Sequence, residues 1–365
     1  MLKITIIAGA RPNFMKIAPI IAAINNAKSK GKAIDYRLVH TGQHYDKNLS
    51  DTFFEELNIP HPDVNLEVKS GSQAEQTAQI MTKFETELLS NPADLVLVVG
   101  DVTSTMACAI VAKKLHVDVA HVEAGIRSGD LKMPEEINRM VTDSITDYFF
   151  TTTKLANENL LNSGKTEEQL FLVGNVMIDT LFKNMDRLKK PDFWDKLGLE
   201  SKSYYVMTLH RPSNVDEEQQ LTDLISTIVE KSEGKPIIFP VHPRTKKLLQ
   251  NLNLNYNQLH YVEPQGYLNF IYLIKNAFAV LTDSGGITEE TTMMNVPCMT
   301  FRDSTERPET CEIGSNELVG SDISKIDKAF DRLNAGQWKQ AQAPFLWDGK
   351  TSERIVDELL KLYEV

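Results

Sequence analysis

The sequence predicts an α/β protein built on two open parallel sheets, and three observations lead there. Short apolar runs alternate with amphipathic stretches along the whole 365-residue chain, the pattern of repeated βαβ units. The series runs twice, with a charged segment at 189–199 between the passes. The unusual polar residues fall directly after the apolar runs, where open parallel sheets bind their ligands. At roughly 100–200 residues per domain, the length accommodates two domains that each bury a core.

In the first pass, residues 4–8 read as a buried strand and 15–27 as the helix after it. Residues 35–40, 94–99, 117–122, 148–151 and 170–173 read as further strands, with a small-residue helix over 104–115. In the second pass, 204–209, 236–241, 259–262, 279–282 and 296–301 read as strands, with helices over 218–231 and 268–276. One sheet is therefore expected to end near Val173 and another to begin near Tyr204. The last stretch, 351–365, puts Ile355, Val356, Leu359, Leu360 and Tyr363 on one helical face, able to pack on either domain.

Composition narrows the function. Hydrophobic residues at 42% and charged residues at 24% suit a soluble globular protein. A net charge of −11 argues against a nucleic-acid binder and against an anionic membrane surface. A local basic cleft for a small anion remains compatible with it. The three cysteines, Cys108, Cys298 and Cys311, form no CxxC pair, so neither a disulfide framework nor a zinc site is suggested, and a cytoplasmic location fits. The first strand lacks a signal-peptide pattern, and no apolar run approaches the roughly 18–20 residues of a membrane span. No GxGxxG follows a strand, the first turn lacks the Gly-Lys-Ser/Thr ending of a P-loop, and no metal motif is present, so neither a nicotinamide cofactor nor a metal is expected.

After the first strand comes Gly9-Ala10-Arg11-Pro12-Asn13, after the third Gly100-Asp101, and after the fourth Glu123-Ala124-Gly125-Ile126-Arg127. In the second pass, His210-Arg211-Pro212-Ser213-Asn214, His242-Pro243-Arg244, Asp283-Ser284-Gly285-Gly286 and Arg302-Asp303 hold the corresponding places. Charges scattered over helix faces would not produce this placement, and a cleft between the halves is the expectation. The glycines of Ser284-Gly285-Gly286 let backbone approach a ligand, and the helix start beyond them offers free N–H groups to phosphate. Glu290, one turn on, would repel phosphate but could accept two ribose hydroxyls. Glu135 and Arg139, spaced i, i+4, can pair on one helix face.

Taken together, Gly9-Ala10-Arg11-Pro12 with Lys16, Thr41-Gly42-Gln43-His44, Gly100-Asp101, His121-Val122-Glu123-Ala124-Gly125-Ile126-Arg127 and Pro134-Glu135-Glu136-Ile137-Asn138-Arg139 resemble the non-hydrolysing UDP-N-acetylglucosamine 2-epimerases. So do His210-Arg211, Asp283 to Glu290, and Thr305-Glu306-Arg307-Pro308-Glu309. The order and spacing hold from residue 4 to about 356. The resemblance implies the glycosyltransferase-B fold, two Rossmann-like domains around a cleft. The first would be 1–174, with the last helix, 352–365, crossing back to it, and would carry the catalytic carboxylates. The second, 175–351, would bind UDP. The resemblance also implies a homodimer and interconversion of UDP-GlcNAc and UDP-ManNAc with no metal or nicotinamide.

Carbon 2 of this sugar is not adjacent to a carbonyl, so elimination is the route open without a redox cofactor. The carbon-2 proton leaves, UDP departs from carbon 1, and re-addition to 2-acetamidoglucal from the other face yields the epimer. By resemblance Asp101, Glu123 and Glu135 are the catalytic carboxylates, with Asp101 and Glu123 handling protons. His210 would stabilise the leaving pyrophosphate or transfer a proton. Arg11 and Lys16 would lie near the phosphates, Arg139 would orient the site, Ser284, Gly285 and Gly286 would hold phosphate, and Glu290 would hold the ribose. Arg307 would close on the pyrophosphate or sugar, Phe270 would lie beside the uracil, and His242 and Arg244 would contribute to the UDP pocket. The chain departs from many family members at Pro212-Ser213, where a carboxylate is usual, and at Tyr45-Asp46, where some relatives carry Arg-Glu at a second UDP-GlcNAc site. The alternatives are a C2-epimerase of a 3-acetamido or uronic-acid UDP-sugar, a relative that hydrolyses the intermediate, a glycosyltransferase, and a non-catalytic UDP-sugar sensor.

Overall fold

The computed structural model describes residues 1–42, 54–215, 217–241, 249, 252 and 254–365, with Arg11, Pro212 and Ser213 as backbone only. It divides into two compact units, 1–183 with 345–365, and 184–344. Among the described residues no helix is long and apolar enough to cross a membrane.

The first unit runs β1 (Leu2–Ala8), α1 (Arg11–Ser29), β2 (Ile34–His40), β3 (Val64–Asn65), α2 (Gln73–Ser90), β4 (Leu95–Val99) and α3 (Thr103–Lys114). It continues with β5 (Asp118–Ala124), α4 (Pro134–Ile145), β6 (Tyr148–Thr151), α5 (Lys154–Asn162), β7 (Leu170–Leu172) and α6 (Val176–Asn184). The sheet order is β3-β2-β1-β4-β5-β6-β7, every pair parallel. Leu95–Val99 is buried at every position, because helices cover both faces of a parallel sheet. The chain order reverses between β1 and β4, the switch point at which such sheets open a crevice beyond their strand ends.

The second unit runs β8 (Tyr205–Thr208), α7 (Glu218–Lys231), β9 (Ile237–Pro240), β10 (Leu259–Val262), α8 (Tyr267–Asn276), β11 (Ala279–Thr282), α9 (Ile287–Met293), β12 (Cys298–Thr300), α10 (Pro308–Glu312), β13 (Asn316–Leu318) and α11 (Ile323–Asn334). Its sheet, β10-β9-β8-β11-β12-β13, is parallel and reverses between β8 and β11. Tyr205, Met207, Phe239, Leu281 and Phe330 centre its core.

The final helix, α12 (Thr351–Leu362), belongs to the first unit. Its first two backbone N–H groups, from Thr351 and Ser352, donate to the two carboxylate oxygens of Asp179 on α6 at 3.1 and 2.6 Å, a cap supplied from outside the helix. Arg354 donates to the Val173 carbonyl, Tyr363 donates to Asp118, and Ile355, Val356, Leu359 and Leu360 are buried. These contacts set the unit boundaries at 183/184 and 344/345, where the sequence reading put them at 174/175 and 351/352. Strands β3 and β13 escape the reading because edge strands of two and three residues carry no apolar run.

Candidate active site

In the first unit, Asn13 organises the turn after β1. Its Oδ1 accepts from the backbone N–H of Gly9 and Ala10 at 2.9 and 3.0 Å, and its Nδ2 donates to the Val99 carbonyl at the end of β4. One helical turn further on, Lys16 forms an ion pair with Glu123. Both side chains are nearly buried, at 10% and 12% exposure, so this lysine is not a solvated surface residue. Gly100 lies against the pair: a Cβ there would come within 2.7 Å of Lys16 Nζ and 3.6 Å of a Glu123 carboxylate oxygen. Its φ of +65° is a second reason for glycine.

Glu123 itself has φ +72°, a left-handed conformation that costs a side-chain-bearing residue on the order of 1–3 kcal/mol. The strand register of β5 against β6 shifts between Val122 and Ala124, so Glu123 is bulged out of the ladder. Strain of this kind persists only where the surroundings impose it, and it aims one side chain.

Asp101 follows Gly100. Its carboxylate accepts from Arg139 Nη2 at 2.5 Å, and its carbonyl accepts from Asn138 Nδ2 at 2.8 Å. Arg139 is 5% exposed and also donates to Glu136 at 2.8 Å. The sequence reading paired Arg139 with Glu135; on its own helix it binds Glu136 at i, i+3, and Glu135 stands exposed. The reason is rotational: Glu136 and Arg139 lie on the buried face of α4. Burial pushes the Glu136 carboxyl up, but donors from Ser128, Arg139 and Gly129 outweigh it and hold the group below its ordinary value.

In the second unit, Asp283 gathers the site. It is fully buried, one oxygen 2.6 Å from His210 Nδ1 and the other accepting from the backbone N–H of His210 and Arg211 at 2.9 and 2.8 Å. Asn214 Nδ2 adds a longer bond at 3.2 Å. Burial alone would raise the Asp283 carboxyl, and these donors, His210 first, bring it below the usual value. His210 is 63% exposed, so the pair is a buried carboxylate that orients an accessible imidazole.

The Ser284-Gly285-Gly286 turn follows β11. Ser284 N–H donates to Thr282 Oγ1, Gly286 is exposed, and a Cβ on Gly286 would meet nothing within 4 Å. Glu290 is buried, and burial pushes its carboxyl up to about 8, partly opposed by a hydrogen bond with Tyr267 at the start of α8. Arg307 is 3% exposed and bound to Glu289 at 2.5 Å, with Glu309 at 3.9 Å. Phe270 is half-buried on α8.

The structure thus brings Lys16 and Glu123 together, Asp101 and Arg139 together, and His210 beside Asp283. Gln43, His44, Tyr45, Asp46, His242 and Arg244 lie outside the described residues, as does the Arg11 side chain. Asp283, Glu136, Asp143, His121, Tyr267 and Glu289 had no role assigned from sequence. One signal was available for the α4 set: Glu136, Arg139 and Asp143 recur at spacings of three and four with Ile137 and Met140 on the other side, an amphipathic helix with its polar face inward.

Comparison with known proteins agrees with this architecture. A family model described as UDP-N-acetylglucosamine 2-epimerase matches residues 26–360. A UDP-N-acetylglucosamine 2-epimerase of Methanocaldococcus jannaschii is 44% identical, covering 97% of this chain and 98% of the relative. A UDP-2,3-diacetamido-2,3-dideoxy-D-glucuronate 2-epimerase of Pseudomonas aeruginosa is 38% identical, covering 99% of this chain and all of that one. The crystal structure of the Methanocaldococcus jannaschii UDP-GlcNAc 2-epimerase in complex with UDP-GlcNAc and UDP superposes with a TM-score of 0.87 at 43% identity, over 99% of this chain and 100% of the other. With parallel sheets reversing at β1/β4 and β8/β11 and a family match over nearly its whole length, the chain belongs to the UDP-N-acetylglucosamine 2-epimerase family.

Proposed function

We propose that this protein interconverts UDP-N-acetylglucosamine and UDP-N-acetylmannosamine by inverting carbon 2 of the sugar. The observation that carries the reading is the family match over residues 26–360. The reaction proceeds by anti elimination. One group removes the carbon-2 proton, the carbon 1–oxygen bond to UDP breaks with its electron pair leaving on the phosphate, and 2-acetamidoglucal and UDP remain bound. Proton delivery to the other face of carbon 2 and re-bonding of the phosphate oxygen to carbon 1 complete the inversion.

Such a sequence needs two proton-handling groups and stabilisation of the departing diphosphate. Asp101 and Glu123 take the first role in this reading, each supported by a buried cation that keeps a carboxylate in place, Arg139 and Lys16. Glu135 and Arg11 complete the first unit's set. In the second unit His210, oriented by Asp283, serves the leaving phosphate, and Ser284, Gly285 and Gly286 present backbone to it. Glu290 takes the ribose and Phe270 the uracil. Lys16 serves the phosphates and Arg307 the pyrophosphate or sugar in this reading, with Glu123 and Glu289 holding the two cations in place.

Incubation of the protein with UDP-GlcNAc in D2O, followed by proton NMR, tests the reading. UDP-ManNAc carrying deuterium at carbon 2 is the expected result. Epimerisation with the original hydrogen retained would eliminate this route, and free ManNAc with UDP would mean that water takes the intermediate. A C2-epimerase of a modified sugar is the second reading, favoured by the 38% identity to the diacetamido-glucuronate enzyme. It predicts turnover of such a UDP-sugar in preference to UDP-GlcNAc.

Glu290 gives the reading a pH signature. With its carboxyl pushed up to about 8 by burial, the free protein holds a proton there at neutral pH. A carboxylate accepting two ribose hydroxyls cannot keep it, so UDP binding expels the proton. Affinity for UDP should rise between about pH 7 and 8, a range in which the phosphate is already ionised, and level off above. Glu290→Gln should flatten that slope. Titration calorimetry in buffers of different ionisation enthalpy measures the released proton, and equal slopes in both proteins would remove Glu290 from the ribose.

The same reading places the reaction in the cytoplasm and in a homodimer. None of the three cysteines is disulfide-bonded, which supports a reducing compartment. Leu131, Ile137 and Met140 are exposed apolar side chains on and before α4, which supports a covered surface there. Sedimentation equilibrium at micromolar concentration should return twice the chain mass; the monomer mass would refute the dimer.

A further inference from the structure

We infer that Asp143, through His121, is the positioning residue that sets both candidate proton-handling carboxylates, Asp101 and Glu123, from a single point on α4. This rests on the reading of those two carboxylates given above.

Asp143 is 2% exposed and sits on the inward polar face of α4. One of its oxygens lies 2.8 Å from His121 Nδ1. The other accepts from Gly125 N–H at 3.2 Å and from Arg127 Nη1 at 2.6 Å. His121 is fully buried within β5, and its second ring nitrogen donates to the Gly100 carbonyl at 2.8 Å. Two chains of contact therefore leave one carboxylate. The first runs through His121 to the carbonyl of the peptide that joins Gly100 to Asp101. The second runs to Gly125 and Arg127, just beyond the bulged, left-handed Glu123.

Both ends of this arrangement need holding. Gly100 and Gly125 have φ of +65° and +78°, and Glu123 between them in the site has φ +72° without the freedom of glycine. A Cβ on Gly125 would collide with the Ala156 carbonyl, so that loop has no room to relax outward. A histidine ring buried at the centre of β5 is costly unless both nitrogens have partners, and here each faces an acceptor, a carboxylate oxygen and a carbonyl. Burial pushes the Asp143 carboxyl up, but His121 and Arg127 hold it below its ordinary value, so the anchor stays an anion able to accept all three contacts. The same helix reaches Asp101 directly as well, through Asn138 and Arg139. Helix α4 thus acts as a template, and Asp143 reaches both sides, the Gly100 carbonyl through His121 and the residues just after the Glu123 bulge directly.

Asp143 and His121 have no part in the UDP-binding role that the reading above gives to the second unit, so the effect should separate from UDP binding. Asp143→Asn replaces one of the two accepting oxygens with a donor. His121→Gln offers an uncharged donor that serves only one of its two acceptors at a time. Misplacement of reacting groups by about 1 Å costs on the order of 10²-fold in rate. Each variant should therefore lose about that factor in kcat for epimerisation, with the dissociation constant for UDP and the KM for the UDP-sugar within about twofold of the parent. Kinetics, UDP calorimetry and thermal unfolding of the full chain are measured together. If Asp143→Asn does not fold, His121→Gln carries the test alone. An active parent whose variants keep kcat within a factor of three overturns the inference and leaves the epimerase reading standing. So does a loss of kcat matched by an equal loss of UDP affinity and a lowered unfolding temperature, the mark of a general structural role. An inactive parent overturns the epimerase reading and this inference with it.

Discussion

Replacing Asp101 with Asn, or Glu123 with Gln, should lower kcat for epimerisation by roughly 10²–10⁴, the range that positioned proton transfer supplies, while UDP binding stays close to that of the parent. The two substitutions should differ in their side effects. Arg139 keeps Glu136 as a partner when Asp101 becomes neutral, so Asp101→Asn should fold as the parent does. Glu123→Gln strands Lys16, whose side chain is only 10% exposed, opposite a neutral amide, and should also lower the unfolding temperature. Following deuterium at carbon 2 in each epimer separately would show whether the variants lose exchange on one face or on both. If Asp101→Asn kept kcat within tenfold, the proton-handling role would pass to Glu135, which stands exposed at the start of α4.

Glu289→Ala should destabilise the second unit by about 3–5 kcal/mol. Glu289 and Arg307 are each about 4% exposed, and breaking a buried pair from one side removes a close countercharge that water cannot replace. Glu309 also lies near Arg307, at 3.9 Å. Burial holds its carboxyl above its ordinary value even with Arg307 beside it, so it is a poor replacement. Glu289 shares α9 with Glu290 and follows the Ser284-Gly285-Gly286 turn, so a loosened helix should weaken UDP as well. Glu289→Gln, which keeps an acceptor in place, should cost less. Urea unfolding of the full chain, read by a probe in the second unit, provides the measurement. A loss below about 1 kcal/mol would mean that Arg307 is satisfied without Glu289.

Much of the fold was legible in the sequence because its signals are local. Leu95–Val99 and Ala279–Thr282 are short apolar runs, buried from end to end, and need no partner to be recognised as strands. The polar residues that follow them, Gly100-Asp101 and Asp283-Ser284, mark the strand ends where chemistry collects. Edge strands such as Asn316–Leu318 were not legible, since two or three residues with polar members leave no period to read.

The sequence by itself determined the two βαβ series, the family and the residue types of the site. Only the tertiary structure decided who pairs with whom. Arg139 meets Asp101 across 38 residues and His210 meets Asp283 across 73, and no local spacing encodes such contacts. The helical i, i+4 rule named Glu135 as the partner of Arg139, but burial of the α4 polar face selected Glu136. Lys16 reads as an ordinary helix lysine until β5 brings Glu123 against it. The left-handed backbone of Glu123 is likewise a tertiary decision: a glutamate adopts φ +72° only where the shifted β5–β6 register and the packing of Gly125 impose it. Local periodicity specifies elements because it reflects the chain's own geometry. Ion pairs and strain are settled when separate elements compete for the same buried space, and that competition exists only in the folded protein.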